Sequence, residues 1–263
     1  MGSSNAQSAV IVTYHAVEWG PAPLCIDPVT FLGHVDCIAE SGVESVTVSE
    51  LARRLRAGES LQGVVALTFD DGFASVARTA VPLLAERGLT ATVFCVAGRL
   101  GRDSGWASAP RGGFLSPLVS GDELAELARA GFEIGSHTMA HAPLVQSDPE
   151  ALRREIVESR AVLEGAVGTA VRSFAYPYGA GPAPAARRLV AETYNAACTT
   201  EMRRVQPGDD PLELPRIDAH YIRRPQLLRS LLAGSLGVYI GARGLGARAR
   251  RALRKDYRLA EAS

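Results

Sequence analysis

The sequence has no long hydrophobic run, no closely paired cysteines and no net charge. No segment approaches the roughly 18 apolar residues of a membrane-spanning helix. The start, MGSSNAQSAVIVTYH, has no basic region ahead of its short apolar run, so it does not read as a signal peptide. Ala6 stands where an N-myristoylation signal needs Ser or Thr. These absences lead to the expectation of a cytoplasmic protein. The four cysteines, Cys25, Cys37, Cys95 and Cys198, form no C-x-x-C pair, and a chain this long does not need a disulfide framework. Lys plus Arg and Asp plus Glu number 28 each, which gives no global signal for nucleic acid. Histidine is scarce, five in 263 residues, so any close pair of histidines stands out.

What is present is an ordinary globular composition, with 47% hydrophobic residues, in a chain long enough for one large domain or two small ones. Apolar runs at 9–14, 64–69, 91–96, 132–135, 171–176, 194–199 and 214–222 predict strands. Helical periodicity predicts helices at 28–41, 49–57, 74–87, 121–130, 148–165 (capped by Asp148 or Ser147) and 183–192. Strands alternating with helices predict an α/β fold with a mainly parallel sheet, and about seven such units suit a barrel better than a short open sheet. Residues 1–8 are expected to be a disordered leader and 9–235 the folded domain. Residues 236–263 are expected to form a basic, helical tail. It carries Arg243, Arg248, Arg250, Arg251, Arg254, Lys255 and Arg258 against Asp256, and suits weak peripheral contact with an anionic membrane. A solvated helix is the simpler reading of the same residues.

The chemistry begins at VALTFDDG, residues 65–72. An apolar strand runs into Asp70 and Asp71, and Gly72 frees the chain to turn. Adjacent carboxylates repel and resist desolvation, so they need either a turn-capping role or a cation. SHTMAH, residues 136–141, supplies the partners for a cation. His137 and His141 are four apart and follow another strand end. Two imidazoles and a carboxylate are a common ligand set for catalytic zinc, with positions left open for water and substrate.

TFDDG at 68–72, SHTMAH at 136–141 and FAYPYG at 174–179, with YHAV at 14–17, resemble the motifs of the polysaccharide deacetylases, the NodB-homology domains. The resemblance covers about residues 9–222. It implies a distorted (β/α) barrel with fewer than eight strands, here about seven. It also implies metal-dependent hydrolysis of N-acyl groups on amino sugars, with O-acyl esters as a minority substrate class. Under it Asp70 is the general base and Asp71, His137 and His141 hold the metal. Zinc is expected first, and manganese, cobalt and nickel also suit the ligands. The backbone N–H of Tyr178 is the implied oxyanion donor.

The sequence departs from the family pattern in three places. Ala175 stands where the third motif carries the arginine that orients the base, the fourth motif, an aspartate followed later by a tryptophan, is not recognisable around 194–212, and the histidine-bearing motif of the general acid is missing in its usual form. LPRIDAHYI at 214–222 offers replacements. As a strand it puts Arg216, Asp218 and His220 on one face, Arg216 to hold Asp70 and His220 to protonate the leaving amine. His15, at the end of the first strand, competes for the acid role. His34, in a predicted helix, reads as surface or half-packed. Trp106, in the long loop 98–120, is a candidate wall of the sugar pocket or a plug beneath the loop. The expected substrate is an acylated amino sugar, free or nucleotide- or lipid-linked, and no nucleic acid. An O-acetyl sugar esterase and an inactive carbohydrate-binding homologue are the alternatives.

Overall fold

A computed structural model of the chain describes residues 7–106, 113–145, 148–179 and 183–253, with side chains as far as 246. Residues 1–6 of the expected leader, Ser147 and positions 254–263 of the basic tail lie outside the described residues. Within the leader, Ser8 is buried, and Arg204 donates to its hydroxyl at 2.6 Å.

The strands are β1 (Val10–Tyr14), β2 (Ala16–Val17), β3 (Cys25–Ile26), β4 (Glu44–Val46), β5 (Val64–Phe69), β6 (Thr92–Cys95), β7 (Glu133–Ser136), β8 (Ser173–Ala175), β9 (Ala196–Cys198) and β10 (Ile217–Asp218). Seven of them run in the order β10-β1-β5-β6-β7-β8-β9, with β4 on the first half of β5 and β2–β3 as a separate pair. Every strand pairing is parallel. Leu214 bridges to Cys198 of β9, and three residues later Ile217 pairs with Val12 of β1. Segment 214–218 thus links the two ends of the sheet. The architecture is the distorted (β/α) barrel expected, a seven-stranded path with helices outside.

Alternation along the strands divides the core in two. Val10, Val12 and Tyr14 of β1, Val65, Leu67 and Phe69 of β5 and Val93 and Cys95 of β6 pack against the helices. Ile11, Ala66, Phe94, Ala175, Cys198 and Leu214 form a smaller cluster inside the barrel. The interior is tight. A Cβ on Gly135 would lie 2.4 Å from the Phe94 ring, so only glycine lets that ring cross β7.

Helices α1 (Pro28–Glu40), α2 (Val48–Ala57), α3 (Val81–Ala85), α4 (Gly121–Arg129), α5 (Pro149–Arg153), α6 (Ser159–Val167) and α7 (Pro184–Thr193) fall within a few residues of the six predicted segments. Two of those segments are interrupted. Helix 74–87 opens with a π-helical turn, Val76–Ala80, before α3, and Val81 N–H reaches back to Val76 O. Pro82 accounts for it, since a proline ring crowds the carbonyl four residues earlier and a wider turn relieves the clash. The 148–165 segment contains a second π turn, Arg154–Glu158, between α5 and α6, and Asp148 caps its start. Two further helices close the chain, α8 (Pro225–Leu232) and α9 (Gly237–Leu253), the latter in the region expected to be a helical tail. No helix among the described residues is long and apolar enough to cross a membrane.

His34 is not at the surface. It is fully buried on α1, where Nε2–H donates to Arg223 O at 2.9 Å and Nδ1 accepts from the Tyr14 hydroxyl at 3.0 Å. Burial pushes its pKa below the usual value, so the folded chain keeps the ring neutral. Below about pH 6.5 the unfolded chain takes up a proton there that the native chain refuses, so this contribution to stability is complete above that pH and shrinks as pH falls. Between pH 7 and 5.5 the wild type is expected to lose about 1 kcal/mol more stability than His34→Gln. Denaturant unfolding at the two pH values measures it, and equal losses would remove His34 as the cause.

Candidate metal centre and active site

The carboxyl ends of β1, β5, β7 and β8 deliver His15, the two aspartates, the histidine loop and the Tyr178 turn to one end of the barrel, where parallel α/β folds gather their chemistry. Strand alternation carries Ala66 and Thr68 into the interior, and Asp70 follows. Asp71 would point outward by the same alternation, but it takes φ 73 and Gly72 takes φ 77, which turns the chain back on itself. Gly72 has no room for a side chain either, because a Cβ there would lie 3.1–3.3 Å from Cys95. Asp71, His141 and Tyr178 all carry positive φ without being glycine. Such strain persists only where the surroundings over-determine it, and it gathers at functional sites.

Asp71, His137 and His141 come together with ligand atoms within 4.8 Å of one another, all buried. Asp71 Oδ1 lies 3.2 Å from His141 Nε2 and 3.5 Å from His137 Nε2. The opposite ring nitrogens are fixed. His137 Nδ1–H donates to Ala175 O at 2.8 Å, and His141 Nδ1 meets the Tyr178 hydroxyl at 2.9 Å. Both Nε2 atoms are thereby aimed at the same carboxylate oxygen, the arrangement by which outer partners orient metal-binding imidazoles. Burial drives the His137 pKa down to about 4, so the ring is neutral and able to ligate at physiological pH. The donor set and its burial fit one divalent cation.

Asp70 stands next to this triad and binds a different partner. Arg216 Nη1 and Nη2 donate to its two oxygens at 2.7 and 2.8 Å, while Arg216 Nε donates to Thr199 O. The guanidinium also lies over the Phe94 ring, 5.8 Å from its centroid. Burial works to raise the Asp70 pKa, but Arg216, His137 and His15 together hold it far below the usual carboxylate range. Asp71 is lowered as well. Burial opposes the shift, and the His141 hydrogen bond with the charges of His141, His15 and His137 outweighs it. The guanidinium that holds Asp70 is therefore supplied not from β8, where Ala175 stands, but from the segment that follows the Leu214–Cys198 bridge to β9.

The sequence expectation for 214–222 holds at Arg216 and fails beyond it. The strand ends at Asp218, whose carboxylate accepts His220 N–H at 2.8 Å and starts a 3₁₀ turn, Ala219–Ile222. Period-2 alternation stops there, so His220 does not share a strand face with Arg216. Its Nδ1 is buried without a hydrogen-bond partner among the described residues, and its ring lies edge-on to Tyr221 at 5.3 Å. His15, by contrast, contributes to the field at both Asp70 and Asp71.

Trp106 lies against His141, ring centroids 4.4 Å apart, at the wall of the site. Sequence reasoning missed Glu155. It is buried on the π turn after α5, and its Oε2 accepts the N–H groups of Met139 and Ala140 at 3.0 and 2.9 Å. This carboxylate pins the loop between the two histidines. The only sequence signal for it was an acidic residue between the buried Leu152 and Ile156.

The family model for polysaccharide deacetylase matches residues 57–197. The chain belongs to the polysaccharide deacetylase family. Among curated proteins it is 23% identical over 192 residues to YxkH of Bacillus subtilis (strain 168), which its curated name places in the polysaccharide deacetylases. That match takes in 73% of this chain and 64% of YxkH, so the chain spans less than two thirds of that relative. Among solved structures, IcaB from Ammonifex degensii superposes with TM-score 0.73 at 25% identity, covering 87% of this chain and 97% of that one. The Streptococcus pyogenes deacetylase PplD gives TM-score 0.73 at 23% identity, covering 84% and 96%. The deacetylase family and the NodB-type barrel are thus established for this chain.

Proposed function

We propose that the chain is a metal-dependent N-deacetylase of an acylated amino sugar that is free or nucleotide- or lipid-linked. The observation that carries the reading is the buried triad Asp71, His137 and His141 with both imidazoles oriented by their outer nitrogens, set beside a second carboxylate that is held by Arg216 instead. A divalent ion, with zinc the first candidate, supplies Lewis acidity and acidifies water when bound by these three side chains. Asp70 takes the proton of the attacking water. The backbone N–H of Tyr178, in the turn fixed by Pro177, donates to the oxygen that gains charge as the carbonyl carbon becomes tetrahedral. The C–N bond then breaks, the nitrogen takes a proton from His15, and the products are acetate and the free amine.

His15 is preferred to His220 as the donor because it lies in the field of both aspartates, whereas His220 sits on a separate helical turn. His15→Ala is expected to lower kcat about 10²-fold or more, with a smaller loss on substrates whose leaving group needs no proton. His220→Ala is expected to change kcat only a few-fold. The reverse ranking would move the acid to His220.

Acetate release from matched N-acetyl and O-acetyl sugars, with and without added metal, tests the reaction class. The proposal expects metal-dependent release from the N-acetyl member. Release confined to the O-acetyl sugar would make the protein an esterase, and binding without release would make it an inactive homologue.

Action on the cytoplasmic side, with α9 resting on the inner membrane face, belongs to the same proposal. Val238 and Leu245, seven residues apart on α9, are both exposed, and basic residues crowd the sequence that follows. Cell fractionation tests it, and extracellular protein would overturn it.

A further inference from the structure

The loop that carries the two histidines is strained and clamped from two sides. Thr138 takes φ 70 and His141 takes φ 57, so two of its residues hold a conformation that costs free energy outside glycine. Its carbonyls are engaged on one side, where Ala97 N–H donates to Thr138 O at 3.0 Å and Gly98 N–H donates to Met139 O at 2.9 Å. Its amides are engaged on the other, where Met139 N–H and Ala140 N–H both donate to Glu155 Oε2. The entrance is held as well. Ser136, the residue before His137, shares a 2.9 Å hydrogen bond with Ser159, whose hydroxyl donates to Ile156 O at 3.1 Å. Glu155 and Ile156 both belong to the π turn Arg154–Glu158, a widened turn of the kind that gathers at functional sites. One turn thus reaches the start and the middle of the histidine loop.

Glu155 is a costly choice for this task. It is 5% exposed, and its hydrogen-bond partners among the described residues are the two amides, with no Lys or Arg between them. A carboxylate resists such burial, and a neutral acceptor could meet the same N–H groups. What the charge adds is strength, since hydrogen bonds to an ionised acceptor are about twice as strong as neutral ones. Glu155 is not among the converging ligands, so it can act on an ion only through the loop.

We infer that Glu155 is a positioning residue for the metal centre. Its carboxylate holds the strained loop in the ion-binding conformation before the ion arrives, so that His137 and His141 are presented together and little ordering is left to the binding step. Metal affinity therefore depends on a side chain that touches neither the ion nor the substrate. The inference rests on the metal reading above and deepens it, because it names the residue that keeps the empty site ready.

Glu155→Ala and Glu155→Gln test it, with Glu133→Gln as the control. Glu133 lies at the other end of β7 and also accepts a backbone N–H, that of Ser49 at 3.1 Å, together with the Thr92 hydroxyl at 2.7 Å. The zinc Kd of chelator-stripped protein, read by competition with a chromophoric chelator, is expected to rise about 10- to 100-fold in Glu155→Ala. It is expected to rise only a few-fold in Glu155→Gln, which keeps an acceptor without the charge. Glu133→Gln is expected to lower resistance to denaturant and leave the zinc Kd as it was. Hydrogen exchange at the Met139 and Ala140 amides of the metal-free proteins is expected to speed up in Glu155→Ala and not in Glu133→Gln. An unchanged zinc Kd in Glu155→Ala would overturn the inference, and so would equal weakening by Glu155→Ala and Glu133→Gln, which would trace to general loosening. If Glu155→Ala does not fold, unchanged zinc Kd and unchanged exchange at both amides in Glu155→Gln would overturn it. A wild type that binds no zinc would overturn the metal reading and the inference with it, whereas one zinc in the wild type beside an unaffected Glu155 variant overturns the inference alone.

Discussion

Asp70→Asn is expected to lower kcat about 10³-fold while leaving the bound metal at one ion per chain. Asp70 is not one of the three converging ligands, and both of its oxygens face Arg216. Asparagine keeps its size and one acceptor but cannot take a proton. Asp71→Asn differs, because it removes the negative charge of a ligand whose oxygen lies 3.2 Å from His141 Nε2, and metal binding should weaken along with activity. Acetate release and elemental analysis on the two variants side by side separate the roles. Near-normal kcat in metal-loaded Asp70→Asn would show that another group takes the proton.

Arg216→Met is expected to destabilise the chain by about 3–5 kcal/mol at pH 7, because it leaves a buried carboxylate without its cation. Asp70 is 4% exposed, and burial is the largest single influence on its pKa. In the wild type the guanidinium wins and the pKa is depressed, so the stability from the pair is complete above the unfolded value of about 3.9 and is lost only as pH falls below it. In Arg216→Met burial prevails and the pKa rises above the unfolded value. The penalty is then largest at neutral pH and shrinks as acid protonates Asp70. Denaturant unfolding of chelator-treated protein at pH 7 and pH 5 should show the gap between the two proteins narrowing. The acid limb of kcat/KM should also move to higher pH, since the base is neutralised sooner. A stability change under about 0.5 kcal/mol together with an unmoved limb would show that Arg216 does not control Asp70.

Arg216 also shows what the sequence could and could not disclose. Its inward direction was legible because Leu214 and Arg216 follow a two-residue period. The end of that strand was not, because Asp218 reads equally well as a strand residue and as a cap, and only the fold shows its carboxylate on His220 N–H. The triad was legible because D-D-G and H-x-x-x-H are short and local. The residues that orient it were not. Glu155 lies 16 residues from Met139, and the Ala175 carbonyl 38 residues from His137. His34 was misread for the same reason, its partners Tyr14 and Arg223 being 20 and 189 residues away. Long apolar strands such as β5 and β6 were placed within two residues at either end, while β2, β3 and β4, two or three residues each, leave too little pattern to read.

The central claim is that deacetylation depends on one divalent ion held by Asp71, His137 and His141. The direct measurement is acetate release from an N-acetylated glucosamine oligosaccharide by chelator-stripped protein titrated with zinc, with metal content determined at each point. Activity should be near zero without metal, rise linearly and break at one equivalent, and His137→Ala should show neither tight binding nor the rise. Full activity in stripped protein holding well under one metal per chain would contradict the account.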